Sequence, residues 1–250
     1  MKAQRLFSYV RRATDDYNMI NDGDKIAVGI SGGKDSLTLL YALNGLKRFY
    51  PKKFDVVAIT VDLDFGIQDF SKIEKYCNDM DIEYYVVKTE IANVVFNERQ
   101  ESNPCSLCAK MRKGALNDFA KSIGCNKIAL GHHYDDVIET ILMGMLYGAQ
   151  VQTMMPKLHS TNFEGMELIR PLYLIREADI IHWANYNDLH FIQCACRFTE
   201  HCASCGGTEK GSKRAEIKEL IHELAQKDPV IEYNIFRSVE NVNLNTVIGY

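Results

Sequence analysis

The sequence predicts an α/β fold in which a parallel sheet is covered by helices on both of its faces. Short strands that are apolar throughout alternate with helical segments, and these strands are followed by loops that contain glycine or charged residues. A strand without polar positions needs cover on both faces, which is typical of parallel sheets. The composition, with 46% hydrophobic and 25% charged residues among 250, is that of an ordinary globular protein.

The predicted elements begin with an amphipathic helix over residues 3–18. Five predicted strands follow, at residues 25–30, 55–61, 83–87, 126–130 and 167–172. The helices between them follow the first loop or lie near residues 69–79, 106–122 and 135–147. From about residue 173 the pattern changes to a helix, a cysteine loop and two more helices. We therefore expect an N-terminal helix (1–22), a Rossmann-like α/β domain (23–175) and a helical extension with the cysteine loop (176–250).

The expected place for chemistry is the edge of the sheet at the carboxyl ends of its strands. Ligands of such sheets bind there, at the point where the strand order reverses. With the strand order 3-2-1-4-5, the loops after strands one and four face each other across this crevice. These two loops are therefore the first candidates for a functional site.

The loop after strand one reads Ser31-Gly32-Gly33-Lys34-Asp35-Ser36 and leads into a helix. Its glycines allow the backbone to approach an anion closely, and the helix N-terminus and Lys34 add positive charge. Two serine hydroxyls can donate further hydrogen bonds. The loop matches neither the Walker pattern nor GxGxxG, but it predicts a site for phosphate groups. The alternative is a tight strand–helix turn that Asp35 caps.

The loop after strand four, GHHYDD, contains Gly131, His132, His133, Asp135 and Asp136. Either aspartate can hold Mg²⁺ on bound phosphates, because carboxylates are the ligands that this ion prefers. The alternative role for the aspartates is to cap the following helix. Both histidines can likewise be core or capping residues instead of catalytic groups.

The eight cysteines fall into three groups. Cys105 and Cys108 form a CxxC at the start of a predicted helix, a strong half-site for a metal of unspecified kind. Four more lie within the stretch CACRFTEHCASC: Cys194, Cys196, Cys202 and Cys205. These four can also supply a separate zinc site. Cys77 and Cys125 are expected to be buried in the core.

The charge and the termini restrict the possible partners. The N-terminal stretch has basic residues but no apolar signal core, and no run of about 18 apolar residues is present. We therefore expect a cytosolic, reducing location and no membrane span. With a net charge of −4, RNA binding requires local basic patches. The candidates are Lys110, Arg112 and Lys113; Lys210, Lys213, Arg214 and Lys218; and Lys2, Arg5, Arg11 and Arg12. Solvated helix faces are the alternative for each.

Several motifs resemble those of a known family. SGGKDS after a buried strand resembles the PP-loop of the PP-loop ATP pyrophosphatase superfamily, which cleaves ATP between the α- and β-phosphates. Together with CSLCAKMRKGAL, KIALGHHYDDVIETILMGMLYG, MMPKL and IRPLYLIREADI, in this order, it resembles the TtcA family of tRNA 2-thiocytidine synthetases. The resemblance runs from about residue 5 into the C-terminal region.

The resemblance implies ATP, Mg²⁺ and a [4Fe-4S] cluster bound by three cysteines. Two of them match Cys105 and Cys108, and the third comes from the cysteine loop. Where the family has a single pair, this sequence has four cysteines. The approach HFIQC favours Cys194 as the third ligand. CASCGG favours Cys202, and Cys196 is a further candidate.

The resemblance also implies the reaction. ATP, held by Ser31, Gly32, Gly33, Lys34, Asp35 and Ser36, adenylates the C2 oxygen of a tRNA cytidine, and sulfur replaces that oxygen. Lys34, Asp35 and Asp136 are the expected catalytic residues. The residues Asp62, Gly131, His132 and Asp135 are expected to bind the cofactor, and Arg170 to neutralise phosphate charge. The implied partners are tRNA, a cysteine desulfurase or other sulfide donor, and a second copy of the chain.

Two alternatives stay open from the motifs. A PP-loop enzyme of this kind can thiolate another acceptor, such as a tRNA uridine or a small molecule. A non-catalytic protein that binds a nucleotide and is stabilised by a structural zinc site also fits the cysteine pattern.

Overall fold

The computed structural model describes residues 2–66, 68–99, 104–187, 189 and 213–246. Within these residues six strands form one sheet: β1 (Asp24–Gly29), β2 (Phe54–Asp62), β3 (Tyr84–Lys88), β4 (Lys127–Ala129), β5 (Lys157–His159) and β6 (Glu167–Ile169). Their order is β3-β2-β1-β4-β6-β5. All neighbouring pairs are parallel except the antiparallel pair of β5 and β6.

The helices lie around this sheet. They are α1 (Ala3–Asp16), α2 (Lys34–Leu46), α3 (Ser71–Asp79), α4 (Ile91–Asn93), α5 (Pro104–Ser122), α6 (Tyr134–Gly148), α7 (Glu177–Tyr186), α8 (Lys213–Lys227) and α9 (Val230–Ser238). The short α4 continues directly as a π-helical turn, Val94–Glu98.

Two separate clusters of buried side chains confirm that helices cover both faces of the sheet. On β1, Ile26 and Val28 join a cluster with residues of α1, α2, α6 and α7. Between them, Ala27 points to the other face, into a cluster with Leu116 and Ala120 of α5. Because successive strand residues point to opposite faces, this alternation places every residue of the strand centre in a core.

The predicted α/β class and the order of its first four strands are confirmed. β6 takes the fifth place, parallel to β4, so the order reverses between β1 and β4 as expected. β6 ends at Ile169, earlier than predicted, because Pro171 lacks the N–H group that a strand donates. The sheet has one further strand that the sequence did not predict, the short and mostly exposed β5, which runs antiparallel at one edge.

Candidate active site

The loop of residues 31–36, called the phosphate loop below, joins β1 to α2 and includes the first three residues of α2. The Ser36 hydroxyl donates to the Gly33 carbonyl at 3.0 Å, and the Ser31 N–H donates to the Ser36 hydroxyl at 3.3 Å. Gly32 has a φ of +83°, which a residue with a side chain adopts only with strain. The loop geometry thus requires glycine at this position.

The loop of residues 131–136, called the second loop below, lies directly against the phosphate loop. A Cβ atom added to Gly131 would lie 3.0 Å from the backbone carbon of Asp35 and 3.1 Å from the backbone nitrogen of Ser36. A larger residue at this position would require the backbone of the phosphate loop to shift by a few tenths of an ångström. The two loops therefore meet at the carboxyl edge of β1 and β4, where the sequence predicted the crevice.

Lys34 lies between two carboxylates. Its Nζ atom is 3.0 Å from Oε1 of Glu177 and 3.2 Å from Oδ2 of Asp35. Burial alone would lower the pKa of Lys34, but these carboxylates raise it above its usual value. Burial raises the pKa of Asp35, although Lys34 and His133 act in the opposite direction. Asp35 Oδ1 is buried and has no hydrogen-bond partner among the residues that the structure describes.

Glu177, at the start of α7, is a site residue that the sequence reasoning missed. Its other oxygen, Oε2, accepts a hydrogen bond from Lys218 at 2.7 Å. Burial alone would raise the pKa of Glu177, but Lys218 and Lys34 lower it to about 2. The motif IREADI contains Glu177, but no local pattern shows that it reaches a lysine 143 positions earlier in the chain.

Hydrogen bonds to the Asp135 side chain connect the second loop with the start of α7. Its Oδ1 accepts from Arg176 Nε at 3.1 Å, and its Oδ2 accepts from the backbone N–H of Glu177 at 2.6 Å. Arg176 in turn forms a bidentate pair with Glu232 of α9. Both oxygens of Asp135 thus have protein partners, and its predicted part in cofactor binding stays a prediction.

Asp136 has partners on two sides. Its Oδ2 accepts from the backbone N–H of His133 at 3.0 Å, which caps the start of α6. Its Oδ1 accepts from Arg214 of α8 at 2.7 Å. Arg214 also donates to Glu139, a buried carboxylate on α6. Asp136 therefore has the capping role that the sequence left as the alternative, and its predicted catalytic role stays a prediction.

His132, in the second loop, contacts the buried side chain of Arg170. Arg170 Nε lies 3.3 Å from His132 Nδ1, and Arg170 also donates to the Met155 carbonyl. Burial and the Arg170 charge lower the pKa of His132 to about 4. Since arginine can only donate, Nδ1 acts as the acceptor and the proton of the neutral ring is on Nε2. Burial also lowers the pKa of Arg170, to about 10.

The CxxC pair lies beyond the end of β2. Cys105 and Cys108 are half-buried on the first turn of α5, and Cys108 packs on a small apolar cluster with Leu63 and Val95. Asp62 immediately precedes Leu63, and its Oδ1 accepts from the Asp64 N–H at 3.0 Å. The structure thus brings the end of β2 and the CxxC pair into one region.

The cysteine pair fits two of the three ligands of an iron–sulfur cluster. Residues three apart on a helix share a face, and a helix N-terminus favours thiolates. No group of three His, Cys, Asp or Glu side chains arranged for a metal occurs among the described residues, and the third ligand stays a prediction. The candidates Cys194, Cys196, Cys202 and Cys205 lie outside the described residues.

The other two cysteines are core residues, as predicted. Cys77 is fully buried and Cys125 is 4% exposed. Burial raises the pKa of the Cys77 thiol to about 12 and raises that of Cys125 as well. Neither is accessible as a ligand.

The three predicted basic patches differ in how their charges are paired. The N-terminal arginines lie beside acids: Arg11 beside Asp15 at 3.5 Å and Arg12 beside Asp16 at 3.3 Å. The group Lys110, Arg112 and Lys113 continues from the CxxC along α5, with both lysines exposed. On α8, Lys213 lies 4.9 Å from the ring centre of Tyr147, while Lys210 lies outside the described residues. Within the described part of the chain, no helix has the length and apolarity needed to span a membrane.

Comparison with known proteins agrees with this site. A PP-loop domain model matches residues 6–196. The tRNA-cytidine(32) 2-sulfurtransferase of Geobacter sulfurreducens is 34% identical over 97% of this chain and 91% of its own. Its counterpart in Coxiella burnetii is 37% identical over 99% and 93%.

A solved structure is also similar. The U34-tRNA thiolase NcsA from Methanococcus maripaludis, with its [4Fe-4S] cluster, has a TM-score of 0.72 at 25% identity, covering 97% of this chain and 79% of that one. The chain therefore belongs to the PP-loop family, in the branch represented by the tRNA-cytidine(32) 2-sulfurtransferases.

Proposed function

We propose that the chain is an ATP-dependent tRNA sulfurtransferase that replaces the C2 oxygen of a cytidine by sulfur. The observation that carries this proposal is the direct contact between the phosphate loop and the second loop at Gly131, in a chain of this family. The names of the relatives specify cytidine 32 as their target, and we propose the same nucleoside here.

The phosphate loop is proposed to hold ATP while the cytidine oxygen attacks the α-phosphate. Adenylation releases pyrophosphate and makes the oxygen part of a good leaving group, AMP, which departs with that oxygen when sulfide attacks C2. Lys34 and the backbone N–H groups of Gly32 and Gly33 are suited to the phosphates, because they place positive charge where negative charge develops. Arg170 and the Nε2–H group of His132 are proposed as further donors, because His132 follows Gly131, which contacts the phosphate loop.

Mg²⁺ is proposed to accompany the phosphates. Asp35 is the best placed of the carboxylates, since its buried Oδ1 lacks a partner among the described residues. Asp136, and still more Asp135, already accept hydrogen bonds from neighbouring groups. Their contribution is therefore proposed to be the position and charge of the second loop.

Cys105 and Cys108, with Cys194 or another cysteine of the loop, are proposed to bind a [4Fe-4S] cluster. Bound by three thiolates, such a cluster supplies an iron that can bind and activate sulfide. The role of the chain is to present the thiolates beside Asp62 at the same edge of the sheet as the phosphate loop. Asp62 is proposed to contact the nucleoside part of ATP.

A tRNA uridine is the second candidate acceptor, because the similar solved structure is that of a U34-tRNA thiolase. The cytidine assignment is favoured by the higher identity of 34% and 37% to the cytidine enzymes, against 25% to the uridine enzyme. The non-catalytic zinc protein is disfavoured by the same relatives, which are named as enzymes.

Nucleoside analysis of tRNA from cells that lack the protein tests the function. We expect 2-thiocytidine to disappear, 2-thiouridine to stay unchanged, and the wild-type gene to restore 2-thiocytidine. Loss of a thiouridine instead would transfer the assignment to the second acceptor. An unchanged profile would overturn both.

The RNA surface is proposed to include the exposed lysines of α5. Replacing both Lys110 and Lys113 by glutamine is expected to weaken tRNA binding and to reduce the salt slope of log K by about one unit per lysine. The matched control replaces Arg11 and Arg12, each of which lies beside an aspartate one turn further along α1. Equal losses in both double variants, or wild-type binding that does not respond to salt, would contradict this surface.

The remaining expectations concern cellular context. We propose that the protein acts in the cytoplasm on tRNA, and that a cysteine desulfurase or another sulfide donor supplies its sulfur. We also propose a homodimer. In its support, exposed apolar side chains gather where α6 ends, namely Met145, Leu146, Val151 and Met155. The division at residues 22 and 175 stays a prediction.

A further inference from the structure

Glu177 connects the phosphate loop with α8. One of its oxygens lies 3.0 Å from Lys34 and the other 2.7 Å from Lys218. The Glu177 side chain is about a quarter exposed, and its backbone N–H donates to Asp135 at 2.6 Å. The carboxylate is therefore fixed at the start of α7, between two cations that come from distant parts of the chain.

α8 carries two of the charges around this site. Lys218 pairs with Glu177, and Arg214, one turn earlier, pairs with Asp136 and Glu139. The helix begins at Lys213, directly after the stretch that contains Cys194, Cys196, Cys202 and Cys205. The cysteine loop thus leads into a helix whose position determines whether Lys218 reaches Glu177.

Phosphate groups and Glu177 compete for Lys34. A polyphosphate in the phosphate loop attracts the Lys34 ammonium, while Glu177 attracts the same ammonium and repels the phosphates. Lys218 weakens this competition, because a carboxylate shared with a second cation holds Lys34 less strongly. Without Lys218, the full negative charge of Glu177 acts on Lys34 and on the incoming phosphates.

We propose that Glu177 is a positioning residue that holds Lys34 when no nucleotide is bound, and that Lys218 of α8 regulates how strongly it does so. The affinity of the phosphate loop for ATP then depends on the position of α8. The inference rests on the proposed function, since it presupposes that ATP binds at the phosphate loop. By linkage, nucleotide binding strengthens the contact between Glu177 and Lys218 to the same extent.

Equilibrium binding of α,β-methylene-ATP with Mg²⁺ to the full chain tests this inference. Glu177→Gln is expected to lower Kd about fivefold, and Lys218→Gln to raise it about fivefold. In the Glu177→Gln background, Lys218→Gln is expected to change Kd by less than about twofold, because the carboxylate through which Lys218 acts is absent. If Glu177 and Lys218 had only a structural role, both single variants would bind the ATP analogue more weakly than the wild type.

Two control variants separate this effect from a general change in charge. Lys227→Gln removes an exposed cation from the other end of α8 and should leave Kd within about twofold of the wild type. Lys218→Arg keeps the cation and should restore most of the wild-type affinity. Shifts of the two single variants in the same direction, or independent effects in the double variant, would overturn the inference.

A second measurement does not depend on the fold of the Glu177 variant. Adding the ATP analogue to the wild-type chain should slow amide hydrogen exchange in the first half of α8, and this slowing should vanish in Lys218→Gln. Unchanged exchange would contradict the coupling. Failure of the wild type to bind the analogue at all would refute the proposed function itself, and the inference with it.

Discussion

Replacing Cys105 by serine is expected to reduce the iron content of the anaerobically purified protein to background and to abolish tRNA thiolation. A serine hydroxyl is not deprotonated at neutral pH and does not replace a thiolate as an iron ligand. Changes around metal ligands cost about 10- to 100-fold in activity, and the loss of a ligand itself should exceed that range. Cys108→Ser should behave identically. Iron analysis, visible absorbance and a thiolation assay make the measurement.

The matched control for this experiment is Cys125→Ala, which removes a thiol that is buried in the core. Cys125 is 4% exposed and packs with Ile128 and Ala120 in the core. We expect this variant to lose some stability but to retain iron and activity. A Cys105→Ser protein that still carries iron and thiolates tRNA would refute the assignment of the CxxC pair. The presence of stoichiometric zinc and no iron in the wild type would also refute the assignment of this pair to an iron–sulfur cluster.

Replacing Lys34 by methionine is expected to lower kcat for thiolation by about 100- to 1000-fold, the usual loss when one group that stabilises developing charge is removed. The physical reason is the position of its ammonium at the start of α2, within the loop that is proposed to receive the phosphates. Methionine has a side chain of similar length but has neither the charge nor the N–H donors of lysine. Pyrophosphate release and thiolation, measured in parallel, should fall together.

Lys47→Met is the control for Lys34→Met. Lys47 follows the other end of α2 and pairs with the exposed Asp55 at 3.4 Å, so its replacement should leave kcat nearly unchanged. The iron content of Lys34→Met should equal that of the wild type, because the cysteine pair lies on a different helix. Normal pyrophosphate release by Lys34→Met would show that Lys34 is not a catalytic residue.

The sequence predicts the sheet well because its signals are local. Each buried strand is a run of apolar residues, and glycines mark the loops that need close approach or unusual backbone angles. β5 escaped prediction since only three residues form it, two of them exposed, and its pairing depends on the neighbouring β6. The conformation of such an edge strand depends on its pairing with the neighbouring strand and not on a pattern in its own residues.

The candidate site is predictable only in part, for a related reason. Motifs identify Lys34, Asp135 and the CxxC pair, because the chemistry of each is visible in a few adjacent residues. The contacts of Lys34 with Glu177 and of Asp136 with Arg214 join residues that lie far apart in the chain. These ion pairs arise from how α7 and α8 pack on the second loop, which no local spacing encodes.

The burial of Cys77 and Cys125 has a practical consequence for experiments on the thiols. Iodoacetamide reacts with thiolates, and a buried thiol with a raised pKa is almost entirely protonated at neutral pH. Brief alkylation of the native protein should therefore spare these two and mark the half-buried Cys105 and Cys108 once the proposed cluster has been removed. Peptide mass spectrometry of native and unfolded samples would then give the fraction of each cysteine that is alkylated.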